Sequence, residues 1–94
     1  IVRARARYDL LDRAENGTRI RLNSTAVHVA HQDGGVDVTY VRDGQTERVH
    51  ARHTILACWN NMIPHLCPEL AEEQKAALAY PEKIPLVVMN IALR

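Results

Sequence analysis

Ninety-four residues leave room for one small domain, and 47% hydrophobic with 24% charged residues is the balance of a globular chain rather than a disordered one. Twelve Lys and Arg against eleven Asp and Glu give a formal charge of +1, which excludes a strongly basic nucleic-acid binder and an acidic tail. No apolar run is long enough to read as a membrane-spanning helix, and Arg3, Arg5 and Arg7 are followed by no apolar stretch of a secretory signal.

The first residues alternate Val2, Ala4 and Ala6 with Arg3, Arg5 and Arg7, a pattern of period two in residue types that favour helix. Tyr8, Leu10 and Leu11 read as the apolar stripe of a short helix, and Asn16-Gly17 as its stop. Thr18 to Leu22 reads as a short strand with Ile20 and Leu22 on one face and Arg19 and Arg21 on the other. Three further strands follow in quick succession. Ala26 to His31 is the first, and Asp33-Gly34-Gly35 turns the chain. Val36 to Val41 is the second, with Val36, Val38 and Tyr40 on one face. Asp43-Gly44 makes the next tight turn. Gln45 to Ala51 is the third, with Thr46, Arg48 and His50 facing one way and Glu47, Val49 and Ala51 the other. Two tight turns in a row predict a three-stranded antiparallel meander.

Beyond Arg52 the alternation stops. His53 to Cys58 contains the run Thr54-Ile55-Leu56-Ala57-Cys58, which fits a strand buried on both faces. Trp59-Asn60-Asn61 ends it, and Pro64 and Pro68 bracket a short loop. Pro68 opens a helix with Glu69, Glu72 and Glu73 near its start, and Tyr80-Pro81 ends it. Ile84 to Leu93 reads as a long last strand, with Pro85 near its beginning. The fold class expected is α+β: a meander, a buried strand, one helix and a long C-terminal strand. With one Trp and no Phe the core anchors are few. The chain starts at Ile1 and stops at Arg94 directly after a strand-like run, so it reads as a piece of a longer polypeptide or as a unit completed by a partner copy.

The residues that carry chemistry are scattered. His28 and His31, like His50 and His53, are three apart, and on strands that spacing sends side chains to opposite faces. They read as structural or surface histidines, and no metal site is expected. Cys58 and Cys67 lie nine apart without a CxxC pattern. They read as buried free thiols, with a disulfide open only if the chain folds back at Pro64. All four glycines are expected at turns. No GxGxxG, no phosphate-binding loop and no nucleophile elbow occurs, so no self-contained catalytic site is expected.

The string Arg19-Ile20-Arg21-Leu22-Asn23-Ser24-Thr25-Ala26-Val27-His28-Val29 resembles a stretch of flavin-dependent amine oxidases, the family of monoamine and polyamine oxidases and related dehydrogenases. In that family a Val- and Gly-rich meander follows, then "A-x-x-V-I-x-A-x-P", matched here by Ala51 to Trp59. Next comes "I-x-F-x-P-x-L-P" and a helix, matched by Ile63 to Leu78, and a long strand, matched by Ile84 to Leu93. The order agrees from about residue 18 to residue 94, and bacterial spermidine-dehydrogenase-like proteins are the most similar. The resemblance implies part of an FAD-binding, glutathione-reductase-like two-domain fold. Residues 1–60 would belong to the FAD domain and residues 61–94 would be the crossover helix and first strand of the substrate domain. It implies an adenine contact through the backbone of Ala26 or Val27, and an approach of Ala57 and Cys58 to the same cofactor. Trp59 stands where the family has proline or a small residue. Its indole fills the domain junction in the preferred reading and packs on the cofactor in the other. The family's FAD fingerprint and the flavin-proximal lysine of several members match nothing in these 94 residues. The cofactor expected is FAD in a parent protein that oxidises an amine. The partners expected are the rest of that polypeptide and an amine substrate, without nucleic acid, in the bacterial cytoplasm or periplasm. The alternative is a non-catalytic interaction module that forms a homodimer by edge-strand pairing.

Overall fold

A computed structural model describes residues 5–82 and 84–91. The expectation for the alternating start at Ile1 to Ala4 and for Ala92 and Leu93 at the end lies outside the described residues. The chain divides into two compact units, one up to Thr54 and one from Ile55 onward.

The first unit is built on a three-stranded antiparallel sheet in the order β1 (Ser24–Gln32), β2 (Gly35–Arg42), β3 (Gln45–Ala51). Both connections are two-residue turns. Asp33 and Gly34 have φ of 34° and 80°, and Asp43 and Gly44 have 49° and 78°. Positive φ at both central positions is the turn geometry whose twist matches that of paired strands, which is why an Asp-Gly pair recurs at both places. The meander expected from the sequence is therefore present. Gly35, however, belongs to β2 and pairs with Gln32 rather than forming the turn.

Pairing fixes the two faces. Val29, Val38 and Val49 stand opposite one another across the three strands. Such a row of β-branched residues packs well on a pleated surface. Tyr40, only 4% exposed, pairs with Glu47 on the same face and donates its hydroxyl to Glu47 Oε2 at 2.5 Å. The Arg21 guanidinium lies 5.4 Å from the centre of the Tyr40 ring. The other face carries His28, Thr39, Asp37, Arg48 and His50 and is polar. Residue pairs that alternate in this way place His28 and His31 on opposite faces.

The leading segment runs against this sheet without joining it. Tyr8–Asp12 forms a short 3-10 helix. At its start the Arg7 guanidinium grips Asp9 through two hydrogen bonds of 2.9 and 2.8 Å and holds that carboxyl below its usual range. Thr18 to Leu22 is not a strand. Its backbone groups are taken instead by the 3-10 helix: Ile20 N–H donates to Leu11 C=O at 2.9 Å, and Leu22 N–H to Asp12 Oδ2 at 2.8 Å. Asn23, with φ of 52°, then turns the chain into β1. The two arginines of this run have different partners: Arg19 meets Asp12 at 3.2 Å, where Arg42 also arrives at 2.9 Å, and Arg21 lies over Tyr40.

The second unit holds a 3-10 turn at Asn60–Met62 that runs into α1 (Ile63–Leu66), and α2 (Glu72–Ala79). The helix expected from Pro68 begins at Glu72. Leu70 N–H donates to Cys67 C=O, so Pro68 sits at the second position of a β-turn, where its fixed φ is at home. Glu72 and Glu73 occupy the first turn of α2, and Lys75 Nζ lies 2.8 Å from Glu72 Oε1. Among the described residues there are two α-helices rather than one.

Two expected strands are not formed. Residues 53–57 are without sheet pairing, and Ile55 is 91% exposed rather than buried on both faces. Residues 84–91 also pair with nothing among the described residues, and Ile84, Leu86, Val87, Val88, Met89 and Ile91 are all exposed. A strand exists only where a neighbour supplies hydrogen bonds and a covered face, and the described chain supplies neither here. The buried hydrophobic side chains among the described residues are Val29, Tyr40 and Cys67, a thin core for this length.

The Tyr40 hydroxyl titrates above its ordinary 10.0, first because it donates to Glu47 and then because it is desolvated, while Arg21 and Arg42 pull the other way. The fold therefore favours the neutral phenol. That stabilisation is present below the ordinary value and is lost as pH rises through the folded one. Tyr40→Phe is expected to remove this loss, so its stability stays flatter than the wild type's in a denaturant series carried above pH 10.0.

Candidate functional site

The sheet carries one irregularity. Ser24, Thr25 and Ala26 pair with Arg42, Val41 and Tyr40, and the register then shifts so that His28 pairs with Thr39. Ala26 and Val27 together oppose Tyr40, which is a β-bulge with Val27 as the extra residue. β1 lies at the edge of the sheet, so along this strand one row of N–H and C=O groups faces away from β2. A bulge removes a further residue from the ladder. Ala26 and Val27 are both exposed, with Val27 at 43%. The two residues singled out by the resemblance therefore sit where the backbone is open to an outside partner. Val29 is buried, while Val27, two residues before it, is exposed.

Ala57, Cys58 and Trp59 belong to the second unit and precede its first helical turn. All three are exposed, and Trp59 C=O accepts the N–H of Met62 at 2.8 Å. Both cysteines are free. Cys58 is exposed rather than buried at a strand end, and residues 53–57, expected to form that strand, are unpaired. Cys67 is buried, and burial, together with Glu69 and Cys58, pushes its thiol up from 9.0. A protonated, covered thiol is a small hydrophobe rather than a nucleophile.

On the polar face Asp37 receives His50 Nδ1 at 2.7 Å and Arg48 at 3.5 Å. Among the described residues no three His, Cys, Asp or Glu gather into a metal-ligand set. No described helix is long and apolar enough to cross a membrane.

Asp12 was not singled out from the sequence. Its side chain is 7% exposed and joins Arg19, Arg42 and the Leu22 N–H, which ties the leading segment to β2. Nothing local marks it, since Arg42 lies thirty residues away. The bulge was likewise unannounced. No protein-family model matches the chain, and no curated protein matches it either.

Proposed function

We propose that this chain is a segment of an FAD-dependent amine oxidoreductase, and that its part is to contact the adenine of the cofactor. The observation that carries the reading is the bulge at Ala26–Val27 on an edge strand. An adenine ring is recognised by hydrogen bonds along its edge, and a backbone N–H and C=O freed from a ladder are the groups that supply them. The residues fit that edge contact and no more of the cofactor. The four glycines are Gly17, Gly34, Gly35 and Gly44, and none forms a phosphate-binding GxGxxG. When bound, the flavin supplies the hydride acceptor for oxidation of the carbon next to the amine nitrogen. The chain's own residues would only hold and orient it.

The exposed apolar residues of 84–91 support the same reading. Successive residues of this run are apolar, as in a strand covered on both faces. The rest of a larger polypeptide would provide that cover, in a glutathione-reductase-like FAD domain joined to a substrate domain. The same exposure favours a second reading, a non-catalytic module whose open edge pairs with a second copy.

The two are separated by altering the bulge. Deleting Val27 restores regular pairing and removes the backbone groups that the bulge frees. FAD affinity of the protein carrying this segment is expected to fall by about tenfold or more, the worth of one well-placed hydrogen bond. Val27→Ala keeps the backbone and is expected to leave FAD affinity unchanged. Equal affinity in the deletion and the wild type, measured by fluorescence quenching of the flavin, contradicts the contact.

A further inference from the structure

We infer that the end of the sheet at the first turn is a binding site for a phosphate group. The β1–β2 turn and the chain leaving β3 enclose an open hollow of about 500 Å³ lined by His31, Asp33, Gly35, Arg52, His53 and Thr54 among others. Its size falls within the roughly 300–1,000 Å³ of small-ligand clefts. It lies at the opposite end of β1 from the bulge, and it stands independently of the flavin reading.

The charge arrangement is what sets this hollow apart. The arginines within the sheet are matched: Arg42 meets Asp12 and Arg48 meets Asp37. Arg52, just past the last pair of β3, makes no ion pair among the described residues. It shares the lining with the His53 imidazole and the Thr54 hydroxyl, both able to donate hydrogen bonds. A guanidinium presents parallel donors that match two oxygens of a phosphate. The glycines bring the backbone close without side chains between: Gly34 has a φ of 80°, and Gly35 is the β2 residue that borders the hollow. The Asp33 carboxylate is the one acid of the lining and opposes an anion.

That opposition gives the test two signs. Inorganic phosphate and methyl phosphate are titrated separately into the protein while the amide resonances of residues 31–36 and 52–54 are followed by NMR. Saturable shifts confined to those residues are expected. Arg52→Gln is expected to weaken binding about tenfold, Arg52→Lys less, and Asp33→Asn to tighten it about threefold. Arg48→Gln, on the polar face outside the hollow, is expected to bind as the wild type does. Binding of methyl phosphate as well as the free ion assigns the site to phosphate esters, and binding of the free ion alone to inorganic phosphate. Shifts that do not saturate, or equal binding by Arg52→Gln and the wild type, overturn the site.

Discussion

Gly35→Ala is expected to destabilise the protein by about 2–3 kcal/mol, the cost of forcing an extra methyl into a packed position. A Cβ at Gly35 would stand 2.6 Å from the Ala51 carbonyl oxygen and 2.6 Å from His50 Nε2. The imidazole leans over the glycine from β3, held on its other side by Asp37. The ring can swing away, but the carbonyl is main chain and can move only if the end of the β2–β3 pairing opens. His50→Ala in the Gly35→Ala background is therefore expected to recover less than half of the loss. Gly17→Ala serves as the control, because nothing lies within 4 Å of its added methyl and its φ is not left-handed. Equilibrium urea unfolding reads all three. A Gly35→Ala protein as stable as the wild type would remove the close approach from the account.

Asp12→Ala is expected to cost about as much, roughly 2–3 kcal/mol, because it strands two partly covered guanidinium groups and one backbone N–H. Arg19 and Arg42 are 23% and 28% exposed, so water repays part of the loss and holds it below that of a fully buried pair. Asp12→Asn can still accept from Leu22 N–H and should fall between. The signature of the role is where the loss appears. Hydrogen exchange is expected to quicken at Ile20 and Leu22 while the Val29–Val38–Val49 row keeps its protection. Uniform loss across the sheet would show that Asp12 supports the strands rather than the leading segment.

These two residues also mark the boundary of what the sequence disclosed. The meander was legible because each cause is local: an Asp-Gly pair sets each turn, and alternation sets each face. β3 was located to the residue, and β1 and β2 to within two. Gly35 was misplaced into the turn because two glycines follow Asp33, and only the pairing of Gly35 with Gln32 decides between them. Thr18 to Leu22 alternates as a strand does, yet its hydrogen bonds go to Leu11 and Asp12, and no rule of spacing reports that. The runs at 53–57 and 84–91 have strand composition without strand partners, so composition alone overshoots there. Of the candidate site, Ala26 and Val27 were named from the resemblance, and the bulge that opens them was not foreseen. Arg52 was passed over because a lone arginine carries no pattern; only the path of the chain brings it beside the first turn.

The flavin reading rests on that bulge, and the most direct measurement is the visible absorbance of the protein carrying this segment, purified and mixed anaerobically with amines. The account predicts flavin bands that bleach when a monoamine or polyamine is added. A colourless protein that takes up no FAD, with no bleaching by any amine, would contradict it.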